Sequence, residues 1–269
     1  LHGWIQFSAT SIALHILNYN TLNGGKLNRY IYTYKFPNYC YDRARLLRFF
    51  LDLSACLNNA FYQELYMAKP TQNTMWDERY DTDEYVYGVH PNKFLVSIAD
   101  KIPVGKTLCL AEGEGRNAVY LASLGHDVVA VDSSAVGLKK ARRLAQQKGV
   151  QIETVVANLE DLDIQPESWD TIVSIFCHLS ADLRKKLHIK VKSGLRSGGM
   201  FVLESFTPDQ LKFKTGGPHR KEFLFHLDDL NEELEGLEYA HAEELERDVL
   251  EGLFHTGRGA VVQVIAYKP

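Results

Sequence analysis

Five short clusters in this 269-residue chain carry side chains suited to ligand chemistry, and each follows an apolar run. The first is Ala111-Glu112-Gly113-Glu114-Gly115-Arg116-Asn117-Ala118. Its glycines let backbone approach a ligand closely, and the helical pattern starting at Arg116 offers free N–H groups. The second is Asp132-Ser133, about twenty residues further on, a spacing that suits a carboxylate receiving both hydroxyls of a ribose. The third is Asn158-Leu159, where a side-chain amide and the next backbone N–H suit an adenine edge; an Asn in a plain turn is the alternative. The fourth is Phe176-Cys177-His178-Leu179. Adjacent residues on an extended chain point opposite ways, so Cys177 and His178 are poorly placed as nucleophile and base. His178 is the candidate catalytic, acceptor-side group, and Cys177 reads as packing or lining. The fifth is Glu204–Pro208, ahead of the polar loop 212–220, which either orders over a substrate or is a solvated connector.

Charge separates the ligands such a loop could hold. Gly113-x-Gly115-x-x-Ala118 fits a dinucleotide fingerprint, so an NAD-dependent oxidoreductase is a rival reading. Glu112 and Glu114, however, would repel a pyrophosphate: two like charges ~4 Å apart cost about 4 kcal/mol at an effective dielectric of 20. A ligand with ammonium and sulfonium charges finds Glu112 favourable, and a helix N-terminus suits its carboxylate. S-adenosylmethionine carries all three groups. A non-enzymatic module binding that molecule is the second rival.

These clusters need elements that bring them together. Strands are expected over Lys106–Ala111, Asp127–Val131, Gln151–Val156, Trp169–Phe176 and Met200–Glu204, the last following a Gly198-Gly199 turn. Helices are expected over Pro91–Ile102, Arg116–Leu124, Ala135–Lys148 (capped by Ser133 or Ser134, with Gly149 beyond its end) and Ala181–Lys192. Near-continuous apolar strands alternating with helices indicate a parallel, doubly wound sheet covered on both faces. In such sheets ligands sit beyond the carboxyl ends of the strands, where all five clusters fall. Leu237–Leu253 and Ala260–Tyr267, linked by 255–259, leave no room for a crossover helix and predict an antiparallel hairpin. Trp76–Gly88 is rich in aromatics and forms either a lid over the ligand or a cover for the sheet edge.

Composition bounds the rest. The chain is 45% hydrophobic and 24% charged with a formal charge of −4, ordinary for a domain with a sizeable core and unlike a disordered or polybasic protein. Cys40, Cys56, Cys109 and Cys177 make no CxxC pair and no zinc pattern, which favours a reducing, cytoplasmic setting and no metal. Residues 1–74 hold seven basic against three acidic residues, +4, leaving −8 for the remainder. Eight of the fourteen tyrosines also fall there, which sets this segment apart from the rest of the chain. It reads as an N-terminal extension, with SIALHIL and ARLLRFFLDLSACL as candidate helices, as a targeting segment, or as translated sequence upstream of a start at Met67. The last is favoured, with the functional domain at 75–269.

From Trp76 to Lys268 the chain resembles a bacterial class I S-adenosylmethionine-dependent methyltransferase, most closely the tellurite-resistance and thiopurine branch. The carriers are WDERY at 76–80, LAEGEGRNAVYLA at 110–122, VVAVDSS at 128–134, IVSIFCHL at 172–179, LRSGGMFVLESFTP at 195–208 and the final hairpin. The resemblance implies an α/β, Rossmann-like, doubly wound and mostly parallel seven-stranded sheet ending in that hairpin. It implies S-adenosyl-L-methionine along Ala111, Glu112, Gly113, Gly115, Arg116 and Asn117, its ribose at Asp132 and Ser133, its adenine at Asn158 and Leu159, and its sulfonium beside Phe176. Relatives usually have an acid where Cys109 stands and a glycine where Ala111 stands, so Glu112 is expected to take the ammonium. The expected reaction is direct methyl transfer to a small-molecule acceptor, a thiol or a metalloid anion, with His178 as the base if one is needed. Neither nucleic acid nor membrane is expected as a partner, and the protein is expected as a monomer or homodimer.

Overall fold

The structure, a computed structural model, describes residues 74–269 and, as backbone only, three strands between residues 2 and 36. The chain divides into two compact units, Leu1–Lys69 and Pro70–Pro269. In the first, β1 (His2–Ser8), β2 (Ser11–Thr21) and β3 (Leu27–Phe36) form an antiparallel sheet in that order. SIALHIL therefore lies in a strand rather than a helix; its β-branched and aromatic neighbours favour the extended form. The candidate helix ARLLRFFLDLSACL and the start proposed at Met67 lie outside the described residues.

The second unit begins with α1 (Thr74–Tyr80) and α2 (Lys93–Ser97). The helix expected over Pro91–Ile102 is shorter because Asn92, not Pro91, sets its start: the Asn92 side chain accepts from the Leu95 N–H at 3.0 Å. The segment then tightens to a single 3₁₀ turn at Ala99–Lys101. Next come β4 (Lys106–Leu110), α3 (Arg116–Ser123), β5 (Asp127–Asp132), α4 (Ala135–Lys148), β6 (Glu153–Val156), β7 (Trp169–Ile175), α5 (Ala181–Gly194) and β8 (Leu195–Phe206). The unit ends with α6 (Leu227–Glu233), β9 (Glu238–Leu250) and β10 (Thr256–Tyr267). β8 starts earlier than expected, because Leu195 already pairs with Trp169 while Met200 pairs with Thr171, which leaves the Gly198-Gly199 turn as a bulge inside the strand. The hairpin also closes earlier than expected. Thr256–Gly259 pairs with Arg247–Leu250, so the connection is residues 251–255.

The seven strands run in the order β6-β5-β4-β7-β8-β10-β9. Pairings among β6, β5, β4, β7 and β8 are parallel, and β10 is antiparallel to both β8 and β9. This is the doubly wound, seven-stranded sheet with a terminal hairpin that the sequence predicts. Alternation along the strands loads both faces. Leu108 and Leu110 join Val129, Val131, Ile172, Phe201 and Leu203 on one side. Cys109 joins Val128, Ala130, Val173, Met200 and Val202 on the other, against α2, α3 and α4. Each such fully buried side chain contributes roughly 1.5–3 kcal/mol, which is what fixes the register. Cys109 thus behaves as a buried hydrophobe.

Candidate active site

Chain order reverses beside β4, whose neighbours are β5 on one side and β7 on the other. Beyond the carboxyl ends of these strands lies a pocket lined by Ala111, Glu112, Arg116, Asn117, Asp132, Ser133, Asn158, Leu159, Phe176 and His178. These are the expected residues except Gly113 and Gly115, which shape the pocket without lining it. Gly113 donates its N–H to Asp132 Oδ2 at 2.9 Å, and a Cβ there would meet the Tyr80 hydroxyl at 2.5 Å. Gly115 has φ +89°, and its missing side chain admits Ala141 of α4, 2.4 Å from where a Cβ would stand.

The backbone kinks at the ends of two strands. Ala111 after β4 has φ +49°, and Phe176 after β7 has φ +53°. A left-handed conformation costs a non-glycine residue roughly 1–2 kcal/mol, so both bends are held by their surroundings. The Phe176 N–H donates to the Glu204 carbonyl at 2.7 Å, and the Glu112 N–H donates to the Val131 carbonyl at 3.0 Å.

Glu112 Oε1 accepts from the Asn117 and Ala118 N–H groups at 2.9 and 2.8 Å. The first turn of α3, expected to be free for a ligand carboxylate, is therefore capped by Glu112 itself. Its Oε2 has no protein partner among the described residues. Burial pushes the carboxyl of Glu112 up to about 7, against the opposing pull of those N–H groups and Arg116. Glu114 also lines the pocket, but Lys140 pairs with it at 2.5 Å, which neutralises it. Asp132 takes the Gly113 N–H on one oxygen and the Ser134 N–H on the other, at 2.9 and 2.8 Å. Burial raises its carboxyl, and these donors oppose the rise. Asn158 closes a local turn, accepting from the Glu160 N–H at 3.2 Å, while lining the pocket.

Residues 74–90 form a strap across the mouth. Trp76, Tyr80 and Tyr87 line the pocket, with Trp76 and Tyr80 stacked at 5.7 Å. The strap is fastened at several points. Ser134 Oγ donates to Asp77 at 2.5 Å, Lys140 Nζ donates to the Tyr80 and Glu84 carbonyls at 3.2 and 2.5 Å, and the Tyr87 N–H donates to Glu114 at 3.1 Å. Arg79 sits over the rings of Trp76 and Phe254 and donates to the Tyr87 hydroxyl at 2.9 Å. The Leu253 N–H donates to the Val86 carbonyl at 2.7 Å, which ties the strap to the hairpin turn.

At the far end Phe176 stacks on Phe206 at 4.6 Å, beside His178 and His255. Burial, helped by the neighbouring His255 and by the charge of Arg79, pushes His178 down to about 3, so its imidazole is neutral. Burial pushes the Cys177 thiol up to about 12, which excludes a thiolate nucleophile at neutral pH. The loop 212–220 does not line the pocket; it packs on β10, with the Thr256 N–H donating to the Thr215 carbonyl at 2.9 Å. Sequence reasoning placed Glu114 and Leu179 beside the ligand without assigning them a binding role, and missed His255 as a pocket residue. Only the hairpin's return to the sheet brings His255 there, and no local motif marks it. Among the described residues no helix is long and apolar enough to cross a membrane.

A pocket at the switch point of this sheet order, with a carboxylate after each of the first two strands and a terminal hairpin, is the arrangement of the class I methyltransferase fold. Residues 108–199 match the methyltransferase domain family. Over 69 residues the chain is 41% identical to YbaJ of Bacillus subtilis, an uncharacterized methyltransferase, covering 25% of this chain and 27% of that one. It is 29% identical over 107 residues to TehB of Haemophilus influenzae, described as a probable S-adenosyl-L-methionine-dependent methyltransferase, covering 39% and 37%. The chain thus spans between a quarter and about half of the length of the curated relatives it matches. Solved structures share the fold. TehB of Haemophilus influenzae superposes with a TM-score of 0.56 at 22% identity, over 72% of this chain and 66% of that one. A protein solved in work on conversion of a disulfide bond into a thioacetal group during echinomycin biosynthesis gives 0.60 at 18%, over 72% and 91%. The class uses S-adenosylmethionine as its methyl donor.

Proposed function

We propose that the protein transfers a methyl group from S-adenosylmethionine to a small-molecule acceptor, a thiol or a metalloid anion. The observation that carries this reading is the pair of carboxylates, half-buried Glu112 and buried Asp132, at the ends of adjacent strands in one pocket. Glu112 Oε2 is the acceptor for an ammonium group, taking the part that an acid at Cys109 would play in relatives. Asp132 and Ser133 receive the ribose, Asn158 and Leu159 the adenine, and Ala111, Arg116 and Asn117 border the amino-acid part. Gly113 and Gly115 let the loop take this shape. Phe176, with Trp76, Tyr80 and Tyr87, offers ring faces to a sulfonium, a favourable contact for a cation in a desolvated site.

Bound S-adenosylmethionine supplies an activated methyl group. The protein's part is to align the acceptor, exclude water under the strap and leave the leaving sulfur uncharged. His178 stands on the acceptor side as a neutral hydrogen-bonding group. The lining of the pocket by Trp76, Tyr80 and Tyr87 of the strap supports a small acceptor over a polymer. A carboxylate facing the ligand also weighs against a dinucleotide pyrophosphate.

Calorimetric titration of S-adenosylmethionine, S-adenosylhomocysteine and NAD into the protein tests the reading, with Asp132→Ala alongside. The two adenosyl ligands bind and the variant loses them; NAD does not bind. Binding of NAD alone, or of none of the three, overturns it.

A further inference from the structure

The pocket holds a second histidine, and it is the one with a carboxylate behind it. His255 closes the β9–β10 turn, where the Glu251 N–H donates to its carbonyl at 2.9 Å, and its side chain is 4% exposed. Its ring packs against Phe176 at 4.8 Å, Tyr87 at 5.0 Å and Phe206 at 5.4 Å. Its Nδ1 faces Glu251 Oε2 at 3.7 Å. Glu251 is fixed in turn: Oε2 accepts from Arg116 at 2.6 Å, and Oε1 accepts from Arg247 and Asn92 at 3.2 Å each. The buried Nδ1 atoms of both His178 and His255 make no hydrogen bond among the described residues, and of the two only His255 has a carboxylate facing it.

We propose that His255, oriented by Glu251, is the general base of methyl transfer and that the acceptor is a protic nucleophile, a thiol or a hydroxyl. The inference rests on the methyl-transfer reading given above. With Nδ1–H turned to the carboxylate, Nε2 carries the lone pair and is the ring nitrogen left for the pocket. As the acceptor atom forms its bond to the methyl carbon, its proton passes to His255 Nε2. The carbon–sulfur bond of the donor breaks and its electron pair stays on sulfur. The imidazolium, facing Glu251, then releases the proton to solvent. At 3.7 Å the pair faces each other without a hydrogen bond, and the role requires the contact to close as the acceptor binds.

The groups facing His255 set its charge. Glu251 from the turn favours the imidazolium, Arg116 from α3 and Arg247 from β9 oppose it, and Tyr87 and His178 border it from the strap and the β7 loop. Burial dominates and holds the ring neutral, the state a base requires. Glu251 is a positioning residue; it reaches the acceptor only through His255.

The test is histidine ¹⁵N NMR on the full chain, with His255 assigned by His255→Gln, together with S-adenosylhomocysteine titration. A neutral Nδ1–H tautomer at about pH 7.5 is expected, drifting to a tautomer mixture in Glu251→Leu and retained in Glu251→Gln, whose amide oxygen still accepts. An Nε2–H tautomer in the parent overturns the proposal without needing any variant to fold. Transfer to 2-mercaptoethanol and phenol reads the chemistry. His255→Gln slows it about 100-fold at pH 7, and for the thiol the gap narrows as pH rises and the acceptor arrives deprotonated. An unchanged rate in His255→Gln, or no transfer to either probe by protein that binds S-adenosylhomocysteine, overturns it. Failure of the parent to bind S-adenosylhomocysteine refutes the methyl-transfer reading instead.

Discussion

Replacing Glu112 with Gln separates two jobs that one side chain performs. The amide oxygen of Gln still accepts from the Asn117 and Ala118 N–H groups, so the cap on α3 survives. What disappears is the buried charge. The Glu112 carboxyl lies at about 7 in the folded protein against an ordinary 4.5, a difference of about 3 kcal/mol. Because the folded value is the higher one, the contribution of this group to stability is full below pH 4.5 and is lost as pH rises through 7. Glu112→Gln removes that loss, so it raises stability at pH 8 by up to about 3 kcal/mol. Binding moves the other way. An ammonium prefers the carboxylate form, so affinity for S-adenosylhomocysteine falls about 25-fold from pH 7.5 to 5.5 in the parent. In Glu112→Gln this dependence flattens, and the affinity at pH 8 drops roughly 10- to 150-fold, the worth of one charge-assisted hydrogen bond. Calorimetric titrations from about pH 5.5 to 8.5 in two buffers of different ionisation enthalpy, paired with thermal melts, read both effects. Equal affinity and an unchanged pH slope in the variant would show that the ammonium is bound elsewhere.

Other substitutions probe the scaffold. Ala111→Gly relieves a left-handed residue and raises stability by about 1 kcal/mol in denaturant unfolding, with S-adenosylhomocysteine still bound. Gly115→Ala places a Cβ against Ala141 and costs roughly 1–3 kcal/mol, seen as a lower melting temperature. Arg184→Ala breaks a buried ion pair in which Arg184 meets Glu233 at 2.7 Å beside His188, and costs about 3–5 kcal/mol while leaving ligand affinity unchanged, because the trio lies outside the pocket. Burial alone would raise Glu251, but His255, Arg116 and Arg247 hold it down to about 2. Its contribution of about 3 kcal/mol is therefore present above pH 4.5 and is lost as pH falls toward 2, which acid titration of the unfolding midpoint checks.

The fold was legible because its signals are local. Apolar runs such as Asp127–Asp132, the Ser134 cap that accepts from the Gly137 N–H, and Gly149 at φ +70° each declare an element within a few residues. Ends were less legible where one of two neighbouring candidates makes the cap or a bulge extends the strand, as at Asn92 and in β8. Most of the pocket was legible too, because a parallel sheet delivers the residue after each strand to the same edge. The succession of strands and helices, the closing hairpin, and the placement of Glu112, Asp132, Asn158 and Phe176 at strand ends all follow from residue order alone. Tertiary structure decided how those residues behave. Glu112 closes α3 and is driven toward neutrality by burial, and Glu114 is cancelled by Lys140 from the next helix. Ala111 is bent into a left-handed conformation that nothing in its own side chain favours. His255 reaches the pocket from more than seventy residues beyond His178 and meets Glu251 there. Ionisation and partnership depend on what surrounds a side chain in space, and for these residues the neighbours lie on other elements, where no periodicity or motif records them.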